Sequence, residues 1–112
     1  KSYMESLIKI IKKYKKRGSK IYGIGAGLML PLVNYHLKDI LNDVDGILDD
    51  DKNKINKFYP KLKTKISSLK DTDLKDSVAL ICSTASSITT RKLAELCRLK
   101  SAKIIIIPSL TL

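Results

Sequence analysis

Lys20-Ile-Tyr-Gly-Ile-Gly-Ala-Gly-Leu-Met29 is the stretch whose reading decides the fold. Lys20 to Ile24 reads as a short buried strand, and it runs straight into the turn Gly23-Ile24-Gly25-Ala26-Gly27. Glycines let a chain turn tightly and let its backbone approach a neighbour closely. Leu28 to about Lys38 follows with helical spacing, and Val44-Asp-Gly-Ile-Leu-Asp49 then reads as a second strand. Two strands joined by a helix are parallel neighbours, because a parallel pair needs a long crossover where an antiparallel pair needs only a tight turn. Pro31 fits the helix start, since the first N–H groups of a helix have no partner within it. Leu28, Leu32, Val33 and Tyr35 or His36 are expected to face the sheet.

Upstream, residues 2–17 carry Tyr3, Met4, Leu7, Ile8, Ile11 and Tyr14 at three- and four-residue steps, the spacing of an amphipathic helix. Lysines fill its other side, and Gly18 is placed to end it. Downstream, residues 50–61 are polar and read as a connection, with Pro60 as a breaker. A short third strand is expected at Lys63–Ile66, and a loop or brief helical turn at Asp71–Asp76. Ser77–Cys82 is an almost wholly apolar run, as in a parallel strand covered on both faces. Ser86 or Ser87 caps a helix to about Leu99, with Leu93, Ala94, Leu96 and Cys97 inward. Lys103–Ile107 is the last strand, ended by Pro108. Strands alternating with helices predict an α/β fold: a Rossmann-like three-layer sandwich, with an N-terminal amphipathic helix and a mostly parallel sheet of about five strands. Right-handed crossovers give the order 3-2-1-4-5. Residues 1–112 are expected to form a single domain, and, with no Met at position 1, a piece of a longer protein.

Hydrophobic residues make up 44% of the chain and charged residues 29%, the balance of a folded globular protein. No apolar run approaches the roughly 18–20 residues of a membrane span, and the start lacks the apolar segment of a signal peptide, so no membrane is expected. Cys82 and Cys97 fall in apolar stretches and read as buried free thiols, from which a cytoplasmic location is expected. Neither belongs to a CxxC pair, and a single histidine is too few for a zinc site of the usual kind.

The net charge is +11, and Lys1, Lys9, Lys12, Lys13, Lys15, Lys16, Arg17 and Lys20 face Glu5 alone in the first twenty residues. Such a patch attracts nucleic acid, acidic lipid or a phosphorylated ligand. Only three arginines occur, and no aromatic residues interleave the charges in a stacking motif. Both facts weigh against nucleic acid and for a solvated helix face.

Parallel sheets bind ligands at the carboxyl ends of their strands, where three segments should meet. Gly23, Gly25 and Gly27 offer backbone contacts beside a helix start. The dinucleotide fingerprint G-x-G-x-x-G has its third glycine where Leu28 stands, so the turn fits a nucleotide site better than NAD in particular. The competing reading is a turn kept for close packing of a helix on the sheet. Asp49, in Asp49-Asp50-Asp51, lies where ribose hydroxyls are held, unless this is a solvated acidic loop. Ser83 and Thr84 follow the fourth strand and offer polar contacts, though capping explains at least one hydroxyl of Ser83-Thr-Ala-Ser-Ser87. His36 stands alone, no G-x-S-x-G or P-loop is present, and no catalytic constellation is legible.

Lys16-Arg-Gly-Ser-Lys-Ile-Tyr-Gly-Ile-Gly-Ala-Gly27, Leu32-Val-Asn-Tyr35, Val44-Asp-Gly-Ile-Leu-Asp-Asp-Asp51, Lys54 and Lys57-Phe-Tyr-Pro60 together resemble the C-terminal domain of C-methyltransferases acting on nucleotide-linked deoxysugars. The resemblance implies a non-catalytic Rossmann-like domain that holds the nucleotide-sugar and binds no cofactor itself. S-adenosylmethionine would sit in a preceding domain. Leu28-Met29 departs from the family, which often has a lysine or small residue with a further glycine there. The chain is also similar to the N-terminal nucleotide-sugar-binding domain of sugar acyltransferases, although that domain usually begins at its first strand. An NAD(P)-binding or redox-sensing Rossmann domain is the remaining alternative.

Overall fold

A computed structural model describes residues 2–27, 29–58, 64–83 and 87–108. Along the chain run α1 (Ser2–Lys16), β1 (Ile21–Ile24), α2 (Met29–His36), a 3-10 turn (Ile40–Asn42), β2 (Gly46–Asp49), β3 (Ile66–Ser68), β4 (Val78–Ile81), α3 (Ile88–Leu99) and β5 (Ile104–Ile106). The five strands form one wholly parallel sheet in the order β3-β2-β1-β4-β5, as the sequence predicts. The fold is Rossmann-like parallel α/β. Among the described residues no helix is long and apolar enough to cross a membrane.

α1 stops at Gly18, whose φ of +91° lies in the left-handed region, and Ser19 N–H closes the end on Tyr14 O at 3.1 Å. Leu7 and Ile11 of α1 join Leu30, Val33 and Leu37 and the turn residues Ile40 and Leu41 in one apolar layer. That layer covers Ile21, Ile47, Val78, Leu80 and Cys82 of the sheet. On the opposite face Tyr22, Ile24, Leu48, Ala79 and Ile81 pack with Leu69, Leu74 and, from α3, Leu93, Leu96 and Cys97. Successive strand residues therefore feed opposite layers, and β1 and β4 are buried throughout. Gly46 lies under the Tyr22 ring, where an added Cβ would come within 3.2 Å of ring carbons.

Two details differ from expectation. The buried positions of α2 and its exit are Leu30, Val33 and Leu37, while Leu32 is half-buried and Tyr35 is 77% exposed. Met29 to Val33 is apolar on every side, so its pattern does not fix which stripe turns inward. Leu28 lies outside the described residues. The third strand takes Ile66–Ser68 and not Lys63–Ile66: Ile66, Ser67 and Ser68 pair with Ile47, Leu48 and Asp49. Ahead of it the chain folds back, with Lys65 bridged to Phe58 and Ile66 N–H donating to Lys57 O at 2.8 Å. Lys63, Tyr59 and Pro60 lie outside the described residues.

Cys82 and Cys97 are free, buried and on opposite sides of the sheet. Burial pushes the Cys82 thiol up to about 12 and the Cys97 thiol up to about 11, both from an ordinary 9.0. The folded chain therefore keeps both protons above pH 9, where the unfolded chain releases them. Their contribution to stability is complete below that pH and declines as pH rises toward 11 and 12. Each thiol is expected to give a slope of about 1.4 kcal/mol per pH unit within its window. Urea titrations at pH 8 and 10 on the native chain and on a Cys82→Ala/Cys97→Ala variant check this. Identical pH dependence in the two proteins would overturn it.

Candidate functional site

The glycine turn is built into the end of the sheet. Gly25 N–H donates to Leu48 O at 2.8 Å and Cys82 N–H to Ile24 O at 2.8 Å, which extends both neighbouring pairings past β1. Gly25 has a φ of +97°, and a Cβ there would face Cys82 O at 3.5 Å. A residue with a side chain at that φ is strained by about 1–2 kcal/mol. Ala26 N–H then donates to Asp49 Oδ2 at 2.7 Å, while Asp49 Oδ1 accepts Asp51 N–H at 2.8 Å.

The rest of the aspartate run is equally engaged. Asp50 Oδ1 accepts Lys70 N–H at 3.0 Å and the Ser68 hydroxyl at 3.2 Å. Asp51 Oδ1 accepts Asn53 N–H at 2.9 Å. Asp49 thus clasps the turn after β1, Asp50 ties the chain to the end of β3, and Asp51 starts the turn that carries Lys54. That turn is closed by Lys54 N–H on Asp51 O at 2.9 Å.

On the other side, Ser87 caps α3: its Oγ accepts Thr90 N–H at 3.0 Å and donates to Thr90 Oγ1 at 2.9 Å. The Ser83 and Thr90 hydroxyls share a further hydrogen bond. Thr84 and Ser86 lie outside the described residues.

These segments enclose a cleft of about 530 Å³ at the carboxyl ends of β1, β2 and β4. Of the residues expected there, Gly25, Gly27, Asp49 and Ser83 line it. Gly23 does not, because it lies inside β1, where a Cβ would meet Leu41 at 3.6 Å and Cys82 and Ile47 at 3.9 Å. His36 sits edge-on to Tyr35 with ring centroids 5.3 Å apart and is not a lining residue. Asp50, Lys54, Ser87 and Thr89 add polar groups, and Met29, Leu48, Cys82 and Leu93 an apolar wall. Lys54 and Thr89 were not legible as site residues. Lys54 stands in a polar connection, and only the turn begun by Asp51 brings it back to Gly27.

Chemically, the described lining suits binding: an apolar wall for a flat or aliphatic group, hydroxyls and carboxylates for a polyol, and one ammonium for an anion. Burial holds the Cys82 thiol protonated, which removes its nucleophilic form. Among the described residues no group of His, Cys, Asp and Glu is arranged to hold a metal ion.

A parallel sheet with a cleft at its carboxyl edge places the chain in the broad class of Rossmann-like α/β domains. No family model matches the sequence, and no curated protein and no solved structure is found similar to it.

Proposed function

We propose that this chain is a nucleotide-sugar-binding domain of an S-adenosylmethionine-dependent sugar methyltransferase. It acts in the cytoplasm, beside a preceding domain that carries the methyl donor. The observation that carries the binding part is the single cleft in which Gly25, Gly27, Asp49 and Ser83 converge. Its volume of about 530 Å³ falls within the usual range for small-molecule sites. A lining that combines hydroxyls, carboxylates and apolar side chains fits a ligand that joins a base to a sugar. The methyltransferase part rests on the sequence resemblance.

Asp49 keeps lone pairs for a ligand hydroxyl even while it accepts Ala26 and Asp51 N–H. Gly23 would act behind the site, inside β1 against Leu41 of the 3-10 turn. An NAD-binding reading draws less support, because Leu28 replaces the third fingerprint glycine and Ala26 N–H is already bonded within the chain.

Amide chemical shifts of the chain, titrated separately with nucleotide-sugars, NAD and S-adenosylmethionine, test the proposal. Nucleotide-sugars are expected to move Gly25, Gly27, Asp49 and Ser83. A response at these amides to NAD alone would sink it.

A further inference from the structure

Resting on that reading, we infer that the anionic part of the ligand is held by Lys54 and not by the Gly25 and Ala26 N–H groups of the glycine turn. In a phosphate-binding turn, free backbone N–H groups point at the anion. Here Gly25 N–H is bonded to Leu48 O, and Ala26 N–H to the Asp49 carboxylate at 2.7 Å. A carboxylate already occupies the place from which a phosphate would take the Ala26 proton, and it repels a second anion.

Lys54 offers the positive charge that these two occupied N–H groups do not. It is the one cation among the described residues of the cleft wall. Its Nζ lies 4.0 Å from Asp51 Oδ2, beyond hydrogen-bond reach, and the side chain is 36% exposed. The same Nζ is 4.0 Å from the position a Cβ on Gly27 would take, and among the described residues beyond its chain neighbours nothing else lies within that distance. The missing side chain at Gly27 therefore leaves open the space in front of the ammonium. This gives the third glycine of the turn a purpose that its displacement from the dinucleotide pattern left unexplained. Among the described residues only Asp51 pairs with Lys54, across 4.0 Å and partly exposed, an ion pair that solvent screens; Asp49 is bonded to Ala26 and Asp51 N–H, and Asp50 to Lys70 N–H and the Ser68 hydroxyl. The class of ligand group that fits is a phosphate ester or diphosphate, approaching over Gly27 with its uncharged remainder along Leu48 and Leu93.

The test compares uridine diphosphate and thymidine diphosphate with uridine and thymidine, on the full chain and on Lys54→Gln and Lys54→Arg variants, followed by amide shifts at the cleft. The diphosphates should bind the native chain at least about tenfold more tightly than the nucleosides. Lys54→Gln should remove that advantage and leave nucleoside binding unchanged, while Lys54→Arg should keep most of it. Diphosphate affinity unaltered in Lys54→Gln, or equal affinities for nucleoside and diphosphate in the native chain, would overturn the inference alone. No cleft response to any of the four compounds or to nucleotide-sugars would overturn the binding proposal along with it. Because the Lys54 side chain is partly exposed and its pairing with Asp51 is a 4.0 Å surface contact, matching spectra away from the cleft are expected in all variants and report that each is folded.

Discussion

Replacing Asp49 with Ala is expected to lower the stability of the folded chain by about 3 kcal/mol. Its two carboxylate oxygens receive the Ala26 and Asp51 N–H groups at 2.7 and 2.8 Å. Hydrogen bonds to a charged acceptor contribute about 1.5–3 kcal/mol each, and the half-buried position of Asp49 puts both near the lower figure. The loss exceeds that of a surface aspartate because no strand or helix otherwise fixes Ala26. Asp49→Asn should recover part of it, since the amide keeps one acceptor but turns a donor toward the other N–H. Urea unfolding checks the prediction: the midpoint should fall with the slope unchanged. Hydrogen exchange adds a local reading, because the Ala26 amide should be slow in the native chain and fast in Asp49→Ala. A destabilisation within about 0.5 kcal/mol, the usual range for surface substitutions, would show that the carboxylate does not hold the turn.

Leu80→Ala is expected to lower stability by about 4 kcal/mol. Leu80 is fully buried on the face that α1 and α2 cover. Its backbone is pinned on both sides, paired with Gly23 in β1 and Ile106 in β5. A strand so fixed cannot move in to fill the space left by the side chain, which places the substitution in the upper part of the 2–5 kcal/mol range for such truncations. For a domain of this size the melting temperature should drop by roughly 10–20 °C. Leu99→Ala is the control, because Leu99 is 68% exposed and its truncation should change stability by less than about 0.5 kcal/mol. Comparable losses in the two variants would contradict the burial argument.

The contrast between these residues also shows what the sequence could and could not reveal. The strand order was legible because β1 and β4 carry apolar runs, because β2 keeps an apolar core between its aspartates, and because helix-length connections leave few right-handed arrangements. The inward stripe of α2 was not, since Met29 to Val33 offers no polar side to set the phase. β3 was misplaced because Ser67 and Ser68 carry no strand signal of their own and gain their conformation by pairing with β2. At the site, the position of Asp49 was legible, but its bonds to Ala26 and Asp51 are tertiary facts that a pattern does not contain. Gly23 and Gly25 look alike in the sequence, yet one is a strand residue under Leu41 and the other takes a left-handed φ at the cleft. Lys54 acquires its position from the turn that Asp51 begins, which no spacing rule would have picked out.

The strand order has a consequence during synthesis. β1 is translated first among the strands but ends in the middle of the sheet, with β2 on one side and β4 on the other. Tyr22 is made well before Ala79, its partner in β4. Until β4 follows, one edge of β1 therefore has no neighbour, in a chain whose parallel pairings close late. The lysine-rich outer side of α1 is made immediately before that open edge. Like charges on that helix repel a second copy of the chain, so the helix that covers the sheet also disfavours pairing of its open edge with another copy.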